Sequence, residues 1–353
     1  MKPGDRYPEA YRIACERFEE SLALLRTRGE APAEGSEAWA ALRARFVPPY
    51  PLTKFEDKWR KLAPAMPSWT VPAHLAKDSY SHIHYDPDQA RMVSVREAAR
   101  IQSFPDGFLF EGNMGDCFRQ IGNAVAPLVS WAIAAAVSGA YVLGVALVHF
   151  AHRWGHFMLD HPGTVQKFHA QPVPRVGGMA LFAACAAAWW LVPEGDARRI
   201  LGTVLVAGLL SLGIGLAEDI TKRVGVLPRL LITIGSGIVA SLWTGLALNR
   251  TGVPMADTVL AFWPLAVLFT GFAAGGIANA INIIDGFNGL ASGTVTWSLL
   301  ALSGIAFHAG DQALSIVALL VAAAMVGFMV VNFPWGRLFL GDGGAYFAGF
   351  ALA

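Results

Sequence analysis

Residues 313–331 read Ala-Leu-Ser-Ile-Val-Ala-Leu-Leu-Val-Ala-Ala-Ala-Met-Val-Gly-Phe-Met-Val-Val and contain no charged side chain. A helix of about 20 mainly apolar residues can cross the ~30 Å hydrocarbon layer of a membrane, so this stretch predicts a spanning helix. A buried helix of a soluble core is the alternative, but soluble cores do not string such stretches together between short polar loops. Further stretches lie at 127–150, 177–193, 200–217, 230–248, 258–274 and 290–308, and another begins near residue 343.

Charge is distributed unevenly along the chain of 353 residues. Residues 1–126 hold 17 of the 27 Lys and Arg and 17 of the 26 Asp and Glu, the density of a soluble domain. Residues 127–353 hold only the remaining 10 and 9. We therefore predict a soluble segment, 1–126, followed by an all-α polytopic membrane domain of about seven to eight transmembrane helices, 127–353.

The overall composition excludes several other classes of protein. A net charge of +1 excludes a strongly basic nucleic-acid binder. The three cysteines are widely spaced and form no CxxC pair, so the sequence predicts neither a zinc site nor a disulfide framework.

The predicted spans divide their connecting loops between two sides of the membrane. Loops 151–176, 218–229, 275–289 and 332–342 share one side and carry seven Lys and Arg, against three on the other side. Cytoplasmic loops are enriched in these residues, so the four loops are predicted to face the cytoplasm together.

These four loops also carry acids and amides in suggestive patterns. Glu218 and Asp219 close a predicted span, where one carboxylate can bind Mg²⁺ while the other acts as a base. Asn279, Asn282 and Asp285 recur every three residues, which places them near one face of a helix, and Asn288 continues the row.

A third pattern, Phe339-Leu-Gly-Asp342-Gly-Gly, precedes the last apolar stretch. Its glycines let backbone amides approach a phosphate, and a helix N-terminus favours an anion. Carboxylates, amides and glycine turns on one face suit a Mg²⁺-bridged pyrophosphate. The alternative for any single acid is that it only solvates the end of a loop.

In these motifs, residues from about 127 to 353 resemble the polyprenyl-phosphate N-acetylhexosamine-1-phosphate transferases of glycosyltransferase family 4. This family includes the phospho-N-acetylmuramoyl-pentapeptide translocase. The matching elements are His169-Ala-Gln-Pro-Val-Pro-Arg175-Val-Gly-Gly, Glu218-Asp219, the run 279–290, Asn332-Phe-Pro and the Asp342 motif.

The resemblance implies that a UDP-N-acetylhexosamine gives its sugar 1-phosphate to undecaprenyl phosphate and releases UMP, with Mg²⁺, for cell-envelope polysaccharide synthesis. It places the protein in the bacterial inner membrane with its active site facing the cytoplasm. It implies catalysis by Glu218, Asp219 and Asp285, and metal binding by Asp219, Asp285 and Asp342. It implies substrate binding by His169, Arg175, Asn279, Asn282, Asn288 and Asn332; for His169 and Arg175 a role as membrane-anchoring charges is the alternative.

The chain departs from the family pattern at three places. Many members have Asp-Asp in place of Glu218-Asp219, and a second Asp in place of Asn288, but Glu and Asn still offer oxygen ligands. The family continues through further spans and a His-rich cytosolic loop, so the resemblance implies that the membrane domain is truncated at Ala353 and leaves its activity open.

The soluble segment resembles a different family, the DNA cytosine-5 methyltransferases, over the C-terminal end of their α/β fold. The matching residues are Arg91-Met-Val-Ser-Val-Arg-Glu-Ala-Ala-Arg-Ile-Gln-Ser-Phe-Pro-Asp106 and Arg119-Gln-Ile-Gly122-Asn123-Ala-Val-Ala-Pro127. The resemblance implies that Gly122 and Asn123 once touched S-adenosylmethionine. Residues 124–137 complete the last helix of that fold, and 127–150 supply the first span, so one helix serves both families.

The catalytic half of a methyltransferase is missing from the sequence. The sequence contains no Glu-Asn-Val motif and no Gly-rich cofactor loop. It also contains no Pro-Cys nucleophile, since Cys15 follows Ala14 and Cys117 follows Asp116. We therefore interpret residues 1–126 as a remnant that lacks the catalytic motifs, and DNA is not an expected partner. Three hypotheses remain: a phosphoglycosyl transferase, a protein related to DNA methyltransferases, and a fusion product with neither activity.

Overall fold

The computed structural model describes residues 1–50, 59–66, 68–69, 71–72, 74–75, 81–154, 159–160 and 173–353. It divides into two compact units, Met1–Pro127 and Leu128–Ala353. The helices are α1 Tyr7–Thr27, α2 Glu37–Phe46, α3 Val95–Ile101, α4 Met114–Asn123, α5 Pro127–Trp154, α6 Gly177–Leu191, α7 Asp196–Thr221, α8 Val226–Thr244, α9 Pro254–Leu260, α10 Trp263–Ile284, α11 Leu290–His308, α12 Gln312–Asn332 and α13 Gly341–Leu352. Two short antiparallel strands, β1 Leu159–Asp160 and β2 Val173–Pro174, pair between α5 and α6.

In the first unit, the two methyltransferase-like motifs form the short helices α3 and α4. Each helix begins with a reciprocal capping box, Ser94 with Glu97 in α3 and Asn113 with Asp116 in α4. Such boxes satisfy two backbone donors at once and fix where a helix starts. The only β-pairing that the structure describes in this unit is a pair of isolated bridges, so its described regular structure is mainly helical.

The second unit is a bundle of apolar helices. Among the described residues, six helical stretches are long and apolar enough to cross a membrane: Met114–Arg153, which includes α5 as far as Arg153, and the helices α7, α8, α10, α11 and α12. Large apolar side chains point away from the protein, among them Trp297, Phe272 and Val142, with 74%, 63% and 59% of their surface exposed. The predicted polytopic α-helical class is confirmed.

Most predicted spans have other boundaries than the helices; the span predicted at 200–217, for example, is α7, which begins at Asp196 and ends at Thr221. The apolar run at 230–248 continues past Gly245, but α8 is Val226–Thr244, because Gly245 adopts a positive φ of 71° and ends the helix. The span predicted at 258–274 is α10, which begins at Trp263 and continues to Ile284. The span predicted at 177–193 is α6, which has 15 residues and is shorter than a full crossing.

Helices α12 and α13 form the centre of this bundle. α12 is the most buried of the six spanning stretches, and α13 packs against α6, α7 and α10. Every residue from Gly341 to Phe350 is buried, so the motif that opens α13 lies inside protein rather than in lipid.

Candidate active site

The ends of three helices meet around the first turn of α13. The amides of Gly177 and Gly178, which open α6, donate hydrogen bonds of 3.0 Å to the carbonyls of Phe339 and Leu340. A Cβ atom on Gly178 would lie 2.5 Å from the Cα of Gly344. Only a glycine therefore allows α6 and α13 to approach so closely at this point.

The end of α7 makes a similar approach. A Cβ atom on Gly215 would lie 2.5 Å from the carbonyl carbon of Asp342. One turn further along α7, the Asp219 carboxylate accepts hydrogen bonds from the amides of Asp342, at 3.1 Å, and of Gly343, at 3.0 Å. The side chain of Asp219 is 1% exposed.

The Asp342 carboxylate is surrounded by groups from three other segments. Arg229 of α8 donates a short hydrogen bond to Oδ2. Asn282 of α10 donates to Oδ1 over 3.1 Å, and Nη2 of Arg175, just before α6, lies 3.6 Å from the same atom. The structure thus brings together Asp219, Asn282, Asp342 and Arg175, as the sequence predicted, although these residues lie far apart along the chain.

Asp285 lies beside this cluster, at the C-terminal cap of α10. Loss of solvent around the carboxylate raises its pKa to about 7; Arg175 lowers the pKa, and the charges of Asp219 and Asp342 raise it. These couplings place Asp285 near the other two acids. A carboxyl group with this pKa is partly protonated at neutral pH, and a cation or a phosphate-bound metal would favour its charged form.

Three of the predicted substrate-binding amides have other partners. Asn279 donates to Thr233 Oγ1 at 3.1 Å and to the Gly275 carbonyl at 2.7 Å, one turn before Asn282 along α10. Asn332 accepts from the Gly289 amide at 2.6 Å and donates to the Leu338 carbonyl at 2.8 Å. Asn288 donates to the Pro334 carbonyl at 3.2 Å. In the structure these amides tie helices and loops to one another.

Glu218 and Asp219 point to different parts of the protein because neighbouring helical residues lie about 100° apart. Glu218 accepts a hydrogen bond of 2.7 Å from the Val224 amide and so stabilises the turn between α7 and α8. His169 lies outside the described residues. Gly122 and Asn123 end α4 in the first unit.

Two cations of this site were not predicted from the sequence. Arg229 and Lys222 belong to the seven charges of the predicted cytoplasmic loops, but in the structure Arg229 pairs with Asp342 and Lys222 Nζ lies 3.9 Å from Asp219 Oδ1. One signal was available for Arg229. It lies in the first turn of an apolar helix, where a charge is costly and therefore indicates a partner.

The donor atoms of the site fit a magnesium ion that shares its ligands with a substrate. Mg²⁺ is usually bound by one or two carboxylates together with substrate phosphates and water. Asp342, whose side chain is 11% exposed, and Asp285 provide such carboxylates. Asp219 is less accessible, since its side chain is 1% exposed and both of its oxygens accept hydrogen bonds from the backbone of α13. Within the described ranges, no three His, Cys, Asp or Glu side chains are grouped closely enough to hold a metal by themselves.

Comparisons with known proteins bear on both units. The model of the family "Glycosyl transferase family 4" matches residues 201–353, which include most of α7 and the helices from α8 to α13. The phospho-N-acetylmuramoyl-pentapeptide-transferase of Synechococcus sp. is 30% identical over 242 residues, which are 65% of this chain and 68% of that protein. The chain belongs to glycosyl transferase family 4. The resemblance predicted from its motifs is confirmed.

A second family-4 relative is the decaprenyl-phosphate N-acetylglucosaminephosphotransferase of Mycobacterium tuberculosis. It is 29% identical to this chain over 206 residues, which cover 52% of this chain and 50% of that protein. The chain thus spans from half to about two thirds of the length of such transferases.

The first unit matches a different model, the C-5 cytosine-specific DNA methylase, over residues 30–139. A type II methyltransferase of Thalassovita gelatinovora is 52% identical over 80 residues, which are 23% of this chain and 18% of that protein. Three curated methyltransferases are matched over 18% to 28% of their length. The methylase match ends inside α5, at residue 139, whereas the family-4 model begins at residue 201, so the sharing of this helix by both families stays a prediction.

Proposed function

We propose that residues 127–353 transfer N-acetylhexosamine 1-phosphate from a UDP-sugar to undecaprenyl phosphate and release UMP. The observation that carries this proposal is the cluster of Asp342, Asp285, Arg175 and Arg229 at one end of a membrane bundle. A pyrophosphate needs cations beside its oxygens and carboxylates to hold a metal, and this cluster has both. The names of the family-4 relatives, a polyprenyl-phosphate transferase among them, support the same reaction.

In this reaction an oxygen of the lipid phosphate attacks the β-phosphorus of the UDP-sugar. The bond between that phosphorus and the bridging oxygen breaks, and UMP leaves with the electron pair. A phosphate monoester has a second pKa of about 6, so the lipid phosphate is mostly a dianion at neutral pH. It therefore needs little help from a base. The family resemblance would give that role to Glu218, whose carboxylate accepts the Val224 amide in the turn after α7.

We assign the remaining roles from the charges. Mg²⁺, held by Asp342 and Asp285, would neutralise the negative charge of the pyrophosphate oxygens. The guanidinium groups of Arg175 and Arg229 would hold phosphate oxygens, since planar donors match phosphate geometry. Asn282 orients the Asp342 carboxylate through its hydrogen bond.

The proposal places this multi-pass protein in the bacterial inner membrane, with α13 and its surrounding loops opening towards the cytoplasm. The excess of Lys and Arg in the loops on that side supports the orientation. UDP-N-acetylhexosamines are hydrophilic, so their site has to open to water, whereas the prenyl chain of the acceptor remains in the lipid. The relatives' names support either N-acetylglucosamine or N-acetylmuramoyl-pentapeptide as the sugar.

The test uses membranes that contain the chain, Mg²⁺, undecaprenyl phosphate and one of two donors, UDP-N-acetylglucosamine or UDP-N-acetylmuramoyl-pentapeptide. UMP and a lipid-linked sugar should appear with one of them. Asp342→Asn should lower UMP release by about 10²-fold or more, the scale for losing one preorganised charge. Asp257→Asn changes a half-buried acid outside the site, which accepts hydrogen bonds from the nearby Thr251 and Gly252, and should leave the rate unchanged. Failure of both donors, or a full rate for Asp342→Asn, would refute the proposal.

For residues 1–126 we propose a remnant of a DNA cytosine-5 methyltransferase without activity of its own. The match to the methylase model supports the origin, and the missing Pro-Cys motif supports the lack of activity. A cytosine methyltransferase needs a thiolate that adds to the base.

A further inference from the structure

Helix α13 begins inside the protein without a cap of its own. The first amides of a helix have no partner within the helix and need another acceptor when they are buried. Leu340, the residue at the N-cap position, provides no side-chain acceptor, and the residues from Gly341 onward are buried. The first turn of α13 therefore depends on an acceptor from elsewhere in the chain.

Asp219 supplies this acceptor from a position 123 residues earlier. Its Oδ1 accepts from the second amide of α13, that of Asp342, and its Oδ2 accepts from the third, that of Gly343. A local N-cap aspartate bonds to these same two helix positions. The carboxylate also brings negative charge to the positive end of the helix dipole.

The packing leaves the Asp219 carboxylate little freedom. A Cβ atom on Gly341 would lie 2.6 Å from its Oδ2, so the glycine makes room for this contact. Arg175 Nε and Lys222 Nζ lie 3.8 and 3.9 Å from Oδ1 and balance the buried charge. The side chain thus links the end of α7 rigidly to the start of α13.

From this geometry we infer that Asp219 is a positioning residue: it caps α13 and thereby holds Asp342 in place, and it does not itself bind the metal. Asp342 is the second residue of the helix that Asp219 caps, so the direction of its carboxylate depends on the cap. The link to catalysis rests on the proposed function, whereas the cap itself does not.

Hydrogen exchange of the metal-free full-length chain in detergent tests the cap. In the presence of a chelator, Asp219→Ala should exchange the amides of the first turn of α13 about tenfold faster, the typical effect of losing an N-cap. Asp219→Asn keeps one acceptor oxygen and should show a smaller increase, and it preserves the test if the alanine variant does not fold. The matched control is Asp257→Asn, an acid outside the site that accepts hydrogen bonds from Thr251 and Gly252, which should exchange like the unaltered chain.

Binding of Mn²⁺, followed by electron paramagnetic resonance, tests how the residue acts on the metal. Residues that only orient a metal ligand typically change affinity by about 10- to 100-fold, so Asp219→Asn should weaken binding by that factor. Asp342→Asn should abolish it. Unchanged exchange in α13 for both Asp219 variants, or loss of Mn²⁺ binding in Asp219→Asn as complete as in Asp342→Asn, would overturn the inference. If the unaltered chain bound no Mn²⁺, the role of a metal in the proposed function would be refuted. The exchange rates would still show whether Asp219 caps α13.

Discussion

At the scale of single residues, the site separates polar side chains that hold the protein together from those that are available to a substrate. Asn332 is 5% exposed and uses both ends of its amide on backbone groups. Asp342 and Arg175, in contrast, are partly exposed on their side chains, at 11% and 31%, and face each other across the site. The residue type alone does not distinguish the two groups. An Asn or Asp side chain can cap a helix, form a hydrogen bond between two segments or bind a metal or substrate.

This distinction gives a prediction for Asn332. Asn332→Asp keeps the acceptor for the Gly289 amide but loses the donor to the Leu338 carbonyl, and it places a carboxylate beside that oxygen. We expect the free energy of unfolding to fall by about 1–3 kcal/mol, the cost of an unsatisfied buried group. Thermal unfolding in detergent measures this effect.

The control for Asn332→Asp is Asn288→Asp, which changes an exposed amide with one bond of 3.2 Å to the Pro334 carbonyl. It should change stability by no more than about 0.5 kcal/mol. If Asn332→Asp unfolded like the unaltered chain and instead raised the KM for the UDP-sugar, Asn332 would be a substrate ligand.

At the scale of helices, glycine decides where the backbones approach each other. Gly178, Gly215 and Gly344 lie where α6, α7 and α13 touch, and side chains there would collide with backbone atoms. In membranes, small residues let helices pack closely, since no hydrophobic effect drives one helix against another in lipid. The Gly-Gly pair at 177–178 and the glycines that follow Asp342 therefore have a packing role in addition to any contact with phosphate.

Two glycines of α7 provide a matched test of this role. Gly215→Ala would place its Cβ 2.5 Å from the Asp342 carbonyl carbon and push α13 away, at a cost of about 1–3 kcal/mol. Gly213→Ala lies two residues earlier on the same helix, with no atom within 4 Å of the added Cβ, and should be neutral or slightly stabilising. We expect a lower Tm and slower UMP release for Gly215→Ala alone. Equal Tm values for the two variants would contradict the close packing.

At the scale of the whole molecule, the chain carries segments that match two families, and we predict from the sequence that one helix, α5, serves both. The methylase match extends to residue 139, and α5 runs from Pro127 to Trp154. An apolar helical face is compatible with a methylase core and with a membrane span, because Leu, Val and Ala are stable both in the interior of a soluble fold and in lipid.

The orientation of the membrane part can be measured by labelling. In a chain with Cys15→Ser, Glu194→Cys should react with a membrane-impermeant maleimide on intact cells, because the residue lies on the side with few Lys and Arg. Its side chain is 94% exposed, so it is accessible. Arg223→Cys, in the turn between α7 and α8, should react only after the cells are permeabilised. The opposite pattern would place the site outside the cytoplasm.

The methylase-like unit leads to a negative prediction. The full-length chain should transfer no methyl group from labelled S-adenosylmethionine to DNA, while a complete C-5 methyltransferase assayed in parallel does so. The physical reason is the nucleophile: Cys117 is buried, and none of the three cysteines follows a proline. Labelled DNA above the background of the assay would contradict this prediction.

The sequence by itself determined the membrane class, the order of the motifs and the family. Hydropathy and charge depend only on which residues follow one another, and α11, predicted at 290–308, begins and ends at those residues. The end of α8 was misplaced because hydropathy does not show that Gly245 adopts a positive φ. The end of α10 was misplaced because the helix continues beyond the apolar run with polar residues on one face. Only the tertiary structure decided which polar residues share a site. Asp219 and the α13 amides are 123 and 124 residues apart along the chain, and Arg229 and Asp342 are 113 apart. Such contacts arise only when whole helices pack against one another, because that packing decides which residues from distant parts of the chain come into contact.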